Sequence, residues 1–115
     1  MPLYKAPLRD MRFVLHEMLE VEKNYQQFSA YTDQFNQEII DQYLDVAADF
    51  CENEIAPINQ QGDQEGCRYD NGVVTTPKGF KEAYQKFTEL GFTSLTADPA
   101  YGGQGMPTLL RYAIM

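Results

Sequence analysis

Apolar residues recur with helical period along most of this chain. Met11, Val14, Leu15, Met18 and Leu19 fall on one face of a first helix that Asp10 can cap. Before it, residues 1–9 read as an extended arm fixed by Pro2 and Pro7 and carrying Leu3, Tyr4 and Leu8. Residues 23–32 are polar with spaced aromatics (Tyr25, Phe28, Tyr31), so they read as a loop packed onto the surface; continuation of the helix is the alternative. The longest pattern starts between Asp33 and Asn36. Ile39, Ile40, Tyr43, Leu44, Ala47, Phe50, Cys51, Ile55 and Ile58 keep one face and predict a helix over 34–60. Pro57 falls inside that pattern and should kink or end it, with Gly62 as the latest stop.

Every one of the eight glycines lies at Gly62 or later, so the second half is punctuated where the first is not. Residues 62–76 read as a polar connection with a strong turn at Asp70-Asn71-Gly72. Thr76-Pro77 supplies an N-cap and first-turn proline for a helix over 77–90. Phe80, Ala83, Tyr84, Phe87 and Leu90 form its apolar face, and Gly91 supplies a left-handed residue past its end. A short apolar segment, Phe92 to Leu95, leads to the glycine-rich loop Tyr101-Gly102-Gly103-Gln104-Gly105. Pro107 begins a last helix with Leu109, Leu110, Ala113 and Ile114 apolar. That pattern is uncapped at Met115, which reads as a cut inside a helix.

Composition narrows the function classes. A chain of 115 residues has room for one domain. Nine basic against seventeen acidic residues give a net charge of −8, which argues against nucleic acid or an anionic membrane as a partner. The apolar fraction of 43% is that of a globular domain, so disorder is not expected. No apolar run approaches the ~20 residues of a membrane span, and Met1 to Lys5 lacks a signal-peptide core. A soluble cytoplasmic protein is expected, with Cys51 and Cys67 as reduced thiols.

Most chemical motifs fail on their own terms. His16-Glu17-Met18-Leu19-Glu20 begins like a zincin site, but Glu20 stands where the second histidine belongs, and His16 is the single histidine of the chain. Asp63, Glu65, Asp70 and Asn71 miss the spacing of a calcium loop. The glycine-rich loop has neither the Gly-Lys-Ser/Thr of a P-loop nor a complete dinucleotide fingerprint. It reads as a tight turn permitting positive φ and close backbone approach. Glu38, Asp41, Asp45, Asp49 and Glu52 line the long helix, and no Lys or Arg occurs between Asn24 and Cys67. Like charges one turn apart repel. Such a stripe is either a solvated outer face or a docking surface for a basic patch on another subunit or domain.

Several segments together carry a resemblance. Glu89-Leu90-Gly91-Phe92 and Asp98-Pro99-Ala100-Tyr101-Gly102-Gly103-Gln104-Gly105-Met106-Pro107 resemble the signature region in the N-terminal helical domain of flavin-dependent acyl-CoA dehydrogenases. Ile55-Ala56-Pro57-Ile58-Asn59 and Thr75-Thr76-Pro77-Lys78-Gly79-Phe80 are similar to other parts of that domain. Tyr4 to Phe13 resembles the N-terminal extension of a long bacterial, 3-methylmercaptopropionyl-CoA dehydrogenase-like subfamily.

The resemblance implies a parent enzyme that oxidises an acyl-CoA thioester to the enoyl-CoA, with FAD as hydride acceptor, a glutamate as base and an electron-transfer flavoprotein as redox partner. It implies that the catalytic base and most FAD and CoA contacts lie outside these residues. Tyr101, Gly102, Gly103, Gln104, Gly105 and Met106 are the candidate acyl-pocket wall. No catalytic, cofactor-binding or metal-ligating residue is assigned. The expected fold is all-α: a bundle of three to four helices with an extended N-terminal arm, divided into an extension at 1–32 and a helical domain at 33–115. Alone, the domain should be inactive and should self-associate through faces meant for the parent's remaining domains. A free-standing helical interaction module is the alternative.

Overall fold

Asn36 opens the longest helix. Its extended backbone lets the side-chain oxygen accept from the Ile39 amide at 2.9 Å, filling one of the orphan donors of a first turn. The computed structural model describes residues 3–115. Helix α3 (Gln37–Phe50) runs into a π-helical turn (Cys51–Ile55) and then α4 (Ala56–Glu65) without a break. The expected end at Pro57 is therefore overturned. The wide turn lies directly before the proline, where an ordinary helical carbonyl would meet its ring. Gly62 is not a stop either. It sits inside α4, and a Cβ there would lie 2.4 Å from the Phe80 ring. Glycine at 62 is a seat for that ring; Gly66, at φ +68°, ends the helix.

The polar connection contains a hairpin. β1 (Arg68–Asp70) pairs antiparallel with β2 (Val73–Thr75), Asp70 facing Val73. Asn71 (φ 47°) and Gly72 (φ 84°) both turn left-handed, as a two-residue hairpin loop requires. Helix α5 (Phe80–Glu89) starts later than expected. Gly79, at φ +90°, holds the cap position, so Thr76-Pro77 does not open the helix; Pro77 is buried ahead of it. α5 meets the long helix through stacked aromatics: Phe87 lies 5.9 Å from Phe50 and 5.4 Å from Phe92, centroid to centroid. Past Gly91 (φ +85°), short 3-10 turns at Phe92–Ser94 and Pro99–Tyr101 lead into α6 (Thr108–Ile114), which packs on α3.

The N-terminal region differs from its pattern. Helix α1 (Leu8–Arg12) starts after Pro7, and Asp10 lies in its first turn instead of capping it. It widens into a π-helical turn over Phe13–Met18, where the Leu19 amide donates to the Val14 carbonyl, five residues back. That register spoils the expected apolar face: Leu15 is buried, while Val14, Met18 and Leu19 are exposed. The arm is described from Leu3; Met1 and Pro2 lie outside the described residues. A short helix α2 (Val21–Tyr25) and turns replace the expected loop at 23–32. Tyr25 packs against Tyr31 and Phe35 with centroids 5.3 and 5.0 Å away, and Phe35 is 1% exposed.

The fold is all-α but for the hairpin, with five helical units among the described residues. It is a slab of 54 × 37 × 16 Å. Its radius of gyration is 17.0 Å, against about 13 Å for a compact domain of this length. The deepest layer is Leu15, Val21, Phe35, Ile40, Leu44, Leu95, Met106 and Leu110.

Candidate functional site

The glycine-rich loop is closed by its own backbone. The amides of Gly102, Gly103, Gln104, Gly105 and Met106 donate to the carbonyls of Pro99, Asp98, Ser94, Ala97 and Leu95 in turn. All five are committed, so the loop cannot cradle a phosphate as a P-loop does. Gly103 is required by contact: a Cβ there would lie 2.0 Å from the Ala97 carbonyl oxygen. Gly102 and Gly105 are required by conformation, at φ +84° and +66°.

One side chain ties this loop to the body. Gln104 Nε2 donates to the Gly91 carbonyl at 2.7 Å, and its Oε1 accepts from the Tyr43 hydroxyl on α3. Burial pushes the Tyr43 hydroxyl pKa up. A Cβ on Gly91 would collide with Gln104, so both glycine 91 and glutamine 104 are needed for the brace. Nothing in the sequence pointed to Tyr43 as its partner.

The six predicted wall residues separate by role. Tyr101 projects outward, 89% exposed; Met106 is buried beside Leu110; Gly102 to Gly105 form the turn between them. Met106 also lines a groove of about 540 Å³ with Ile39, Tyr43, Val46, Leu90 and Phe92, rimmed by Asp33, Gln34, Asn36 and Gln42. A second cleft of about 430 Å³ lies between the long helix, α5 and the end of α6. Phe50, Ile55, Ile58, Phe80, Phe87 and Ile114 are among its walls. Cys51 also faces it, and burial together with the Glu52 charge pushes that thiol's pKa up.

Three carboxylates of the acidic stripe, Asp41, Asp45 and Glu52, are engaged within the chain. The chain's own N-terminal segment docks on them. His16 Nε2 lies 2.7 Å from Asp41, and Arg12 reaches both Asp41 (3.3 Å) and Asp45. Glu52 accepts the Ala6 amide at 2.9 Å and pairs with Lys5 at 3.4 Å. The Ala6 amide and the Lys5 charge hold the Glu52 carboxyl below its usual range, against a smaller desolvation effect. Glu54 pairs with Lys86 of α5. The zincin-like histidine is thus engaged with a carboxylate, and no group of three metal-ligating side chains occurs among the described residues.

A family model for the acyl-CoA dehydrogenase N-terminal domain matches residues 37–115. The chain belongs to that family. It is 34% identical over 112 residues to a 3-methylmercaptopropionyl-CoA dehydrogenase of Ruegeria pomeroyi, covering 96% of this chain. It is 31% identical over 115 residues to a butyryl-CoA dehydrogenase of Syntrophomonas wolfei, covering 97% of this chain. The chain spans 18% of the length of each relative. As an acyl-CoA dehydrogenase N-terminal domain, it carries the glycine-rich loop, the brace and the second cleft within the matched region, together with the groove at Met106 except for its Asp33, Gln34 and Asn36 rim. The residues that clasp the acidic stripe, Lys5 to His16, precede it. Among the described residues no helix is long and apolar enough to cross a membrane.

Proposed function

We propose that this chain is the N-terminal helical domain of an FAD-dependent acyl-CoA dehydrogenase, with Tyr101 to Met106 as part of the acyl-pocket wall. The observation that carries the reading is the placement of Met106 inside the family-matched region. It is buried, fixed by the Leu95 carbonyl and lines a groove that is apolar on the inside and polar at the rim. A thioether beside Ile39, Leu90 and Phe92 suits an aliphatic thioester chain, because Met packs adaptably against irregular apolar shapes.

FAD, when bound in the parent enzyme, supplies the oxidation at the β-carbon. The glycine-loop amides and the charges of Arg12 and Lys5 are not free to hold the flavin. The loop amides are committed to carbonyls, and Arg12 and Lys5 to carboxylates. This domain's part is to shape and dry one wall. The parent's remaining domains would complete the site, an electron-transfer flavoprotein would reoxidise it, and β-oxidation in the cytoplasm is the setting. The open second cleft supports self-association of the isolated chain; a clean monomer in sedimentation at high concentration counts against that.

The test is acyl-chain selectivity in an enzyme carrying this domain. Met106→Ala should change KM across a series of straight-chain acyl-CoAs while leaving the flavin spectrum unaltered. A chain-length profile superimposable on the parent's removes Met106 from the wall. If the coding sequence past Met115 encodes no flavin domain, the free-standing interaction module takes its place.

A further inference from the structure

We propose that residues 3–19 are a charge-latched strap, which lifts from the long helix as a unit while the rest of the domain stays folded. The inference rests on how little of this segment is buried and how much of it is paired. Helix α1 buries no residue and the π-helical turn buries Leu15 alone. Leu8 and Met11 are half-buried against the core, whereas Leu3, Phe13, Met18 and Leu19 face outward. Against this weak apolar hold stand five polar contacts to α3 and the turn after it. They are Lys5 and the Ala6 amide on Glu52, Arg12 on Asp41 and Asp45, and His16 on Asp41.

Both ends of the latch sit on π-helical turns: His16 in the Phe13–Met18 turn, Glu52 in the Cys51–Ile55 turn. Such turns re-aim side chains relative to a regular helix and recur at working sites. The segment ends at Glu20, a non-glycine residue at φ 45°, followed by α2. A left-handed residue between two short helices is a natural hinge, because it breaks the helical hydrogen-bond ladder there. Beyond it Val21 is buried at 3% exposure, so α2 remains with the core when the strap leaves. Lifting would withdraw Leu15 from the layer it shares with Ile40, Leu44, Met106 and Leu110.

Three of the five contacts, Lys5 with Glu52 and Arg12 with Asp41 and Asp45, are ion pairs open to solvent on at least one side, so salt should loosen the latch. At 1 M salt the Debye length is about 3 Å, shorter than or comparable to these contacts. Hydrogen exchange on the whole chain, read by mass spectrometry at low salt and in 1 M NaCl, tests this. Amides of residues 8–19 should exchange several-fold faster in salt, while those of α3 and α5 hold their rates. A strap unmoved by salt, or one that loosens only in step with α3, overturns the proposal. A charge swap gives a second reading at low salt. Arg12→Glu should speed strap exchange about tenfold, from the loss of two exposed pairs and the new repulsion. Asp45→Arg added to it should restore part of the protection. No acceleration in the single variant, or no recovery in the double, also overturns it.

Discussion

The strap at residues 3–19 and the loop at 91–107 both dock on the long helix, and they are fastened by opposite means. The loop is held by backbone: five consecutive amides bonded within the segment, three glycines at positive φ and one glycine with no space for a Cβ. The strap is held by side chains reaching across 25 to 47 residues of sequence to carboxylates. Backbone closure in a tight loop gives a rigid surface that salt does not screen. Side-chain ion pairs give an adjustable one, each worth a fraction of a kcal/mol at an exposed site. A wall that must keep its shape suits the first kind of fastening; a cover that can leave suits the second.

The comparison breaks most sharply in the loop. Gly103→Ala places a Cβ 2.0 Å from a backbone carbonyl oxygen that cannot swing aside. It should cost about 1–3 kcal/mol, as overpacking does. Gly102→Ala meets nothing within 4 Å and carries the left-handed strain alone, about 1–2 kcal/mol. Denaturant midpoints for the two variants should fall in that order. Equal losses would mean the close approach at Gly103 is not what fixes the loop. Next comes the brace. Tyr43→Phe removes one hydrogen bond to Gln104 and should cost about 1 kcal/mol by the same measurement.

These two fastenings were unequally legible in the sequence. The loop announced itself, because glycine adopts positive φ without strain and a cluster of glycines before Pro107 has few other uses. Gly91 after α5 was legible for the same reason. Gly62 carried the same letter with another meaning: it accommodates the Phe80 ring, a contact with no local signature. Pro57 left a kink or an end open, and the π-helical turn that carries the helix through it has no residue pattern that encodes it. The acidic stripe was visible as repulsion, but its partners lie far away in sequence, so it read as a solvated face or as a surface for a basic patch outside the chain. Of the candidate wall, the segment was legible and its division was not. That Tyr101 points out and Met106 in depends on backbone closure.

The strap yields smaller effects. Arg12→Ala should lower global stability by less than about 1 kcal/mol, since its pairs are exposed, while raising strap exchange severalfold more than exchange in α3. A variant that destabilised the whole domain as much as Gly103→Ala would erase the distinction between the two fastenings. The pH dependence has a defined sign. Glu52 has its carboxyl pKa lowered by the Ala6 amide first and Lys5 second. Its contribution is fully present above the unfolded-state value and is lost as pH falls through the lower, folded-state value. Strap protection should therefore weaken in acid at the Lys5–Ala6 end, and Glu52→Gln should flatten that part of the profile.

The smallest effect separates the two faces of the π-helical turn at 51–55. Glu52 serves the strap, and its neighbour Cys51 faces the apolar cleft with Phe50 and Phe87. Burial and the Glu52 charge raise the Cys51 thiol pKa, which leaves less thiolate at a given pH, whereas Cys67 is exposed. An aromatic disulfide reagent at mildly alkaline pH should therefore label Cys67 first. Arg12→Glu, which frees the strap, should leave the Cys51 rate nearly unchanged, because the walls of the cleft come from the long helix, α5, Phe92 and α6 and its neighbour Met115, and not from the strap. If Cys51 labelling accelerates in proportion to strap exchange, the cleft and the strap open together. The strap is then one edge of a general loosening, and the difference between a backbone-closed wall and a charge-latched cover does not hold.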